Sequence, residues 1–353
     1  MRHPSSCVVQ FTPEPRQRAP LMSNQESILQ ALARPIVFQV PRRLTSPPSW
    51  VMHAPLAMWL VEALRPSVLV ELGTYSGTSY CAFCQAVQQL KLPTKCYAVD
   101  TWKGDPHASW YGEEVYEDLR RHHDAQYASF SRLVREDFDS ALAHFDDGSI
   151  DLLHIDGYHT YDAVKHDFES WKPKLSNRGV VLFHDTNVRE RDFGVAQLWE
   201  ELKRSWPSLE VLHGHGLGIL LVGKDVPQPL AALAERTGAS SDDLRLFQDF
   251  FAHLGRACLS EVSLEESRAT IAERDASVDS LLARCTKIAG ERDEDRRAFS
   301  AEMSRLNQLY RQELAKPKGF LAPLLVIKRA LGRLCRGCSA EKDASRKDVA
   351  ISG

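Results

Sequence analysis

The stretch that decides the fold is Val68-Leu69-Val70-Glu71-Leu72-Gly73-Thr74-Tyr75-Ser76-Gly77-Thr78-Ser79. Its apolar first part ends in an acid, which predicts a buried strand of a parallel sheet. Two glycines four residues apart follow, and a helical pattern then runs from Tyr80 to Leu90. The stretch therefore predicts a strand, a tight glycine turn and the start of a helix.

The glycine turn has the features of a ligand site. Gly73 and Gly77 let the backbone pass close to a ligand, because neither carries a Cβ. Free amides at the helix start favour an anionic group, whereas Glu71 favours a cationic or hydroxyl-bearing ligand over a phosphate. The order Glu-x-Gly-x-x-x-Gly also differs from the Gly-x-Gly-x-x-Gly order of dinucleotide sites. The alternative is a plain strand-to-helix turn that binds nothing.

Composition narrows the class of protein. With 353 residues, 43% of them hydrophobic, the chain is long enough for one large domain with a further segment, or for two domains. Its eight cysteines are scattered and form no disulfide framework, which indicates a reducing cytosol. No apolar run reaches the roughly 18–20 residues of a membrane-spanning helix, and the N-terminus lacks the apolar core of a signal peptide. We therefore expect a cytoplasmic protein.

Charge is distributed unevenly along the chain. Residues 316–353 contain nine Lys or Arg against three Asp or Glu, an excess of six positive charges. Since the whole chain carries a net charge of -3, the other 315 residues carry an excess of nine negative charges. A basic surface is the mark of nucleic-acid binding, so an acidic main domain counts against nucleic acid as a partner.

Strands and helices alternate along residues 68–205. After the first strand, apolar stretches predict strands at 95–100, 132–135, 150–155 and 179–183, and stretches at 209–212 and 217–222 predict a hairpin. Such alternation is typical of a mostly parallel sheet. We predict an α/β fold: a Rossmann-like, doubly wound, mostly parallel sheet closed by an antiparallel β-hairpin, followed by a long helical, coiled-coil-like tail.

An acid lies at or just past the end of each predicted parallel strand. The five acids are Glu71, Asp100, Asp137, Asp156 and Asp185. Ligands of such sheets bind outside the carboxyl ends of the strands, and an acid after the second strand accepts bonds from both ribose hydroxyls of a nucleoside. In this fold Asp137 and Phe138 would lie beside the adenine. A surface acid at a strand end is the plain alternative for Asp137.

The chain divides into five predicted segments. Apolar residues recur every seven residues from Leu264 to Cys285, which predicts a long helix, either a short coiled coil or a single solvated helix. The segments are a partly disordered arm at 1–48 with a short helix near 25–32, the α/β domain at 49–226, a helical linker at 227–257, the long helix at 258–315, and a basic amphipathic helix with a disordered C-terminus at 316–353.

A second group of polar residues follows the fourth and fifth strands, Asp156-Gly157-Tyr158-His159 and His184-Asp185. Two carboxylates with open positions suit Mg²⁺ or another divalent ion, and His184 would favour a softer metal. His159, with an ordinary pKa near 6.5, is a candidate general base. Loop capping by the two Asp residues, and a helix-start role for His159, are the plain alternatives.

Several motifs of residues 50–224 together resemble the class I S-adenosylmethionine (SAM) dependent methyltransferases found with glycosyltransferases in bacterial surface-polysaccharide clusters. These relatives are distantly similar to catechol and metal-dependent sugar O-methyltransferases. The motifs are Val70-Glu71-Leu72-Gly73-Thr74-Tyr75-Ser76-Gly77, Ala98-Val99-Asp100-Thr101-Trp102-Lys103-Gly104-Asp105-Pro106-His107, residues 150–161, residues 180–186 and residues 213–218.

The resemblance implies a role for individual residues. The implied cofactor-binding residues are Glu71, Gly73, Thr74, Tyr75, Ser76, Gly77, Asp100, Thr101, Trp102, Asp137, Phe138 and Asp156. Asp156 and Asp185 match metal-binding carboxylates, with His184 as a third ligand, and His159 falls where catechol O-methyltransferase has its catalytic lysine. Asp156 and His159 are thus the implied catalytic residues. His184 and Thr186 depart from the pattern, since the relatives have Asp and Asn at those places.

We therefore expect a SAM-dependent O-methyltransferase that acts on a sugar or glycan hydroxyl, with or without Mg²⁺ or another divalent ion. The helical tail predicts a homo-oligomer, and the basic end predicts contact with a glycosyltransferase or with the inner membrane surface. One alternative is a non-catalytic SAM-binding scaffold for glycosyltransferases. A nicotinamide-dependent oxidoreductase is the other, and the glycine spacing counts against it.

Overall fold

The computed structural model describes residues 23–45, 47–48 and 50–314. The chain divides into two compact units, Met1–Ser267 and Arg268–Gly353. The first unit holds the sheet and the cavity, and the described part of the second is helical. The predicted basic amphipathic helix and C-terminal coil lie outside the described residues.

Seven strands form one sheet, in the order β5-β2-β1-β6-β7-β9-β8. The strands are β1 (Val68–Leu72), β2 (Lys95–Val99), β5 (Ser131–Val134), β6 (Ile150–Ile155), β7 (Leu175–His184), β8 (Ser208–Val211) and β9 (Leu217–Leu221), and β3 (Gly104–Asp105) and β4 (Ser109–Trp110) pair apart from them. The first five strands of that order are parallel neighbours, and β9 runs antiparallel to β7 and β8. The predicted fold class is confirmed.

Helices cover both faces of the sheet, as its apolar strands require. The α-helices are α1 (Ser23–Leu32), α2 (Ala54–Leu64), α3 (Thr78–Gln89), α4 (Glu113–Gln126), α5 (Phe138–Ala141), α6 (Tyr161–Trp171), α7 (Val195–Leu202), α8 (Gln228–Ala239) and α9 (Ser241–Leu314). One buried apolar cluster contains residues of α2, α3 and α8, and a second contains residues of α6 and α7. The sheet is therefore doubly wound.

Strand register decides which residues meet at the carboxyl edge. Leu72 of β1 pairs with Val99 of β2 and with Ile155 of β6, and Ile155 pairs with Phe183 of β7. The residues that follow these partners in sequence therefore emerge side by side. From β1 the chain continues to β2 and β5 on one side, and then crosses to β6 and β7 on the other side. The strand order therefore reverses at β1, and the carboxyl edge at such a point is the usual ligand site of these sheets.

The structure differs from the predicted segments at three places. Residues 28–37 add buried apolar side chains to the main core, so the packed unit begins before residue 49. The long helix begins at Ser241, because Phe247 and Phe251 anchor its first turns in the same core. The loop after β2 contains the short β3–β4 hairpin, which the sequence did not predict because it is too short to show periodicity.

Beyond residue 262, the described side chains of α9 are almost all exposed. The exposed apolar residues include Leu264, Ile271, Val278, Leu281, Ile288 and Phe299, each at least 43% exposed. Within the described chain, every helix is too short or too polar to cross a membrane.

Candidate active site

A cavity of about 760 Å³ opens at the carboxyl edge of the sheet, where β1 separates β2 from β6. Its volume lies within the usual range of small-molecule sites. The predicted residues that line it are Gly73, Thr74, Tyr75, Ser76, Asp100, Thr101, Asp137, Phe138, Asp156, His159, His184 and Asp185. Three others, Glu71, Gly77 and Trp102, do not line it.

The glycines of the turn are required by neighbouring protein atoms. Gly73 has a φ of +84°, and a Cβ there would lie 2.1 Å from the carbonyl oxygen of Asp156. Gly77, with a φ of +80°, would place a Cβ 2.4 Å from a methyl carbon of Leu119. At Gly73 the backbone itself excludes a larger residue, whereas at Gly77 the neighbour is a side chain that can move and the positive φ is the main reason for glycine.

Asp100 organises the turn through its carboxylate. One oxygen accepts the backbone N–H groups of Thr74 and Tyr75, at 2.8 and 2.9 Å, and the other accepts that of Trp102 at 2.7 Å. A carboxylate has about four lone-pair sites, so one remains for a ligand hydroxyl. The hydroxyl of Thr74 is buried and has no partner within the described chain, which leaves it available to a ligand.

Glu71 and Trp102 lie behind the turn. Glu71 is fully buried, and its carboxylate lies 2.8 Å from Nδ1 of His154. Burial raises the pKa of Glu71, which the bond to His154 opposes. The indole of Trp102 donates to the carbonyl of Tyr75 at 2.9 Å. Both side chains support the loop without facing the cavity.

Asp137 is the N-cap of α5. Its carboxylate accepts the backbone N–H of Ser140 at 2.8 Å and the hydroxyl of Ser140 at 2.9 Å. This bonding holds the pKa of Asp137 below its ordinary value. Phe138 lines the cavity beside Gly157, where a Cβ would meet its ring at 2.5 Å. The ring thus presents an apolar surface suited to stacking.

Two histidines and two carboxylates meet at the ends of β6 and β7. Nε2 of His159 lies 3.0 Å from Asp185 and 3.4 Å from Asp156. Nδ1 of His184 lies 3.3 Å from the same two carboxylate oxygens. Each imidazole therefore bridges both acids, and the four side chains form a compact polar cluster.

Electrostatic coupling shifts the pKa of every member of this cluster. Burial alone would lower the pKa of His159, but hydrogen bonds to Asp156 and Asp185 outweigh burial and raise it to about 9. Burial is likewise outweighed at His184, whose pKa lies well above its ordinary value because of the same two acids. Conversely, the imidazoles hold the pKa of both acids below its ordinary value, despite burial.

Three of these side chains offer donor atoms to a metal ion. The donor atoms of Asp156, His184 and Asp185 all lie within 4.8 Å of one another. Two carboxylates and one imidazole fit a divalent transition-metal ion better than Mg²⁺. A divalent ion and the proton on Nδ1 of His184 are alternative partners of the same carboxylates.

The N-terminal arm forms part of the cavity wall. Pro47 and Trp50 line the cavity. Thr45 holds the arm in place, because its hydroxyl lies 2.7 Å from that of Ser76 and 2.6 Å from that of Thr78. Nε of Arg43 also donates to the carbonyl of Ser76 at 2.6 Å. The arm is thus bonded to the glycine turn.

The sequence did not indicate the rings that pack on His159. Phe193 stacks on His159 with ring centroids 4.8 Å apart, and His107 stacks on Phe193 at 4.4 Å. The loop is fixed further where the N–H of Gly194 donates to the carbonyl of His159 at 2.8 Å. The available signal was the aromatic content of the two loops, which does not define a path in space.

Comparison with known proteins supports a class for this site. Residues 70–186 match the family model described as "Methyltransferase domain". That stretch spans β1 through the end of β7 and includes every predicted site residue. Residues 70–186 of this chain are therefore similar to a methyltransferase domain.

The individual proteins that resemble this chain are either much longer than it or less than 15% identical to it. An uncharacterized protein of Sinorhizobium fredii, y4gI, is 50% identical over 235 residues, which is 65% of this chain and 26% of y4gI. The chain thus spans about a quarter of that relative. Solved structures include SAH-bound PaMTH1 of Podospora anserina (13% identity, 61% and 99% of the two chains, TM-score 0.38). Another is the O-methyltransferase TomG of Streptomyces achromogenes with SAM (14%, 59% and 91%, TM-score 0.37).

Proposed function

We propose that the chain is a SAM-dependent O-methyltransferase whose acceptor is a hydroxyl group of a sugar or glycan. The observation that carries the proposal is the convergence of the glycine turn with the cluster of His159, Asp156 and Asp185 in one cavity. A cofactor held by the turn would present its methyl group close to a buried proton acceptor. The two parts of a methyl-transfer site therefore share one edge of the sheet.

The residues of the cavity fit SAM. Asp100 has a lone pair left for a ribose hydroxyl, and the hydroxyl of Thr74 has no other partner within the described residues. Phe138 offers a ring face to the adenine. SAM, once bound, supplies an activated methyl group on a sulfonium centre. The protein then has to align the acceptor and remove one proton.

In the proposed reaction the acceptor oxygen bonds to the methyl carbon. With SAM bound, the carbon–sulfur bond would break, its electron pair would stay on sulfur, and S-adenosylhomocysteine would leave. His159 would take the hydroxyl proton on Nδ1, an atom that is buried and has no hydrogen-bond partner within the described chain. Nε2–H meanwhile donates to Asp185, and this bond orients the ring and stabilises the imidazolium that forms. Phe193 restricts ring rotation from one face.

A divalent ion fits the same proposal. Asp156, Asp185 and His184 would hold it, and it would supply charge stabilisation to the acceptor hydroxyl. We further propose that the protein is located in the cytoplasm, where its tail contacts the inner membrane surface or a glycosyltransferase. The sugar acceptor, the metal and these partners rest on the resemblance of the motifs to polysaccharide-associated methyltransferases.

SAM binding is the first test. Isothermal calorimetry on the full chain should show binding that weakens about tenfold in Phe138→Ala, because the stacking surface is lost. Phe299→Ala, an exposed substitution on α9, is the matched control and should bind as the wild type does. Absence of SAM binding in a folded wild-type protein would overturn the proposal.

A second candidate, a non-catalytic SAM-binding scaffold, is favoured by one observation. The exposed apolar residues of α9, such as Ile271 and Val278, offer a surface for another helix. SAM binding without methyl transfer to any of a panel of sugars and glycans would support this candidate. Transfer that His159→Asn abolishes would exclude it.

A further inference from the structure

The charges that line the cavity are matched unevenly. Most of its acids already have partners within the protein. Asp105, for example, accepts the backbone N–H groups of His107 and Ala108 at 2.6 and 2.8 Å. Asp100 and Asp137 accept bonds from the turn and from α5, and Asp156 and Asp185 face the two imidazoles. Among the lining acids of the described chain, Glu190, which lies between Arg189 and Arg191 in sequence, is the one whose carboxylate has no bond within the protein.

Two lining arginines remain, Arg189 and Arg191, both exposed. Nη1 of Arg189 donates to the carbonyls of Thr186 and Val188, at 2.8 and 3.2 Å. The guanidinium of Arg191 lies 5.9 Å from the ring centroid of Phe193. Within the described residues, neither guanidinium forms an ion pair with a carboxylate at 4.0 Å or less, and Asp192 next to Arg191 is bonded to His107 at 2.7 Å.

The position of these arginines assigns them to the acceptor. Residues 187–193 follow β7, on the side of His159 away from the residues after β1, β2 and β5. Those residues are the ones proposed to bind the cofactor, and SAM carries two positive groups against one carboxylate. A pair of guanidiniums would repel it. Glu200 and Asp192 interact electrostatically with Arg189 and Arg191 without forming an ion pair within 4.0 Å, so an anionic part of the other substrate would be a closer partner.

We propose that Arg189 and Arg191 bind a phosphate or diphosphate group of the acceptor, so that the enzyme methylates a sugar attached to phosphate. The planar guanidinium donates paired hydrogen bonds to phosphate oxygens, which makes arginine the usual residue for this group. The group would come from a soluble nucleoside-diphosphate sugar or from a lipid phosphate. This inference rests on the proposed methyltransferase function.

The test measures anion binding without needing the acceptor. Calorimetry on the full chain, saturated with S-adenosylhomocysteine and kept in EDTA, is carried out with pyrophosphate, uridine diphosphate and uridine. We expect both phosphates to bind and uridine not to bind. Arg191→Gln should weaken binding about tenfold, in keeping with the loss of a charge-assisted hydrogen bond. Arg121→Gln on α4, an equal change of charge on an exposed residue, should leave it unchanged.

Arg191→Gln is the more informative variant, because Arg189 also bonds to its own loop. Equal phosphate binding by the wild type and the Arg189→Gln, Arg191→Gln double variant would overturn the inference, as would no phosphate binding by a protein that binds S-adenosylhomocysteine. Failure of that cofactor product to bind would instead contradict the proposed function. A second experiment measures retention of the protein on vesicles of phosphatidic acid and of phosphatidylcholine. Retention on phosphatidic acid alone, lost in the double variant, would identify a lipid phosphate as the source of the group.

Discussion

At the scale of single residues, the two imidazoles between Asp156 and Asp185 are the chemical centre of the cavity. A base with a pKa of about 9 is largely protonated at neutral pH, so the proposed reaction should accelerate as pH rises towards 9. A divalent ion on the same carboxylates would reduce their pull on the His159 proton and lower its pKa. Metal content and pH dependence are thus linked at this site.

NMR provides the first prediction, on His159. In EDTA the chemical shift of the His159 ring C–H protons should change with pH, with a midpoint near pH 9. These signals should be absent from the spectrum of His159→Asn. Since the folded pKa exceeds the ordinary value of 6.5, the contribution of His159 to stability is complete below pH 6.5 and is lost as pH rises through 9. A midpoint near 6.5 would contradict the hydrogen bonds to Asp156 and Asp185. His166→Asn, an exposed histidine on α6, is the control.

Asp167 gives a second prediction at this scale. It is 7% exposed on α6, and burial raises its pKa to about 7. The folded protein therefore favours the neutral acid, and stability falls as pH rises from 4 to 7. We expect Asp167→Asn to raise the free energy of unfolding by up to about 4 kcal/mol at pH 8. At pH 4 the same substitution should change the free energy of unfolding little. Urea unfolding at both pH values measures it.

The exposed Asp162→Asn, on the same helix, removes a favourable charge from the first turn and should lower the free energy of unfolding at pH 8 by no more than about 1 kcal/mol. A stability gain that is the same at both pH values would mean that the charge of Asp167 is not the cause.

At the scale of elements, the glycine turn joins β1 to α3 and supports the end of β6. Because the Gly73 Cα faces the carbonyl of Asp156, the turn and the loop after β6 are packed against each other. The steric requirement at Gly73 is therefore one of the fold as much as of the cofactor.

Gly73→Ala is the prediction that follows. A Cβ 2.1 Å from a backbone oxygen, at a φ of +84°, forces the turn and the β6 loop apart. We expect a loss of about 3 kcal/mol or more in the free energy of unfolding, from left-handed backbone strain and overpacking together. Chemical denaturation measures it. Gly148→Ala has a φ of +69° but open space around it, so it should cost only about 1–2 kcal/mol.

The sequence predicted the strands well because their apolar runs are local and their ends carry acids. It placed β6 at its observed bounds, residues 150–155. The sequence did not show which of these acids face the cavity. Glu71 lies within a strand and points into the core, whereas Asp100 and Asp156 follow strands and reach the cavity. Arg191 and Phe193 lie on a loop whose path depends on packing against His159, which no periodicity records.

At the scale of the whole molecule, the apolar residues of α9 remain a prediction about assembly. We expect the full chain to form an oligomer through Ile271 and Val278, which are 58% and 52% exposed. Replacing both by Glu should reduce the mass measured by light scattering to that of a monomer, because charges at the apolar positions of the seven-residue repeat prevent helix pairing. The single variant Ala276→Glu changes a residue outside these apolar positions and should retain the oligomer.

A monomeric wild-type chain across the micromolar range would contradict the predicted coiled coil, and α9 would then be a solvated helix. SAM binding should be equal in all these variants, because the cavity residues lie in the first compact unit.

Asp100 has a consequence for how occupancy of the cavity can be observed. Its carboxylate receives the amide protons of Thr74, Tyr75 and Trp102, which belong to the loops after two different strands. Exchange of these protons with solvent deuterium requires all or part of this arrangement to open. A ligand hydroxyl on the same carboxylate would slow the three exchange rates together, so deuterium uptake at these amides would report binding of the proposed cofactor without a label or an acceptor.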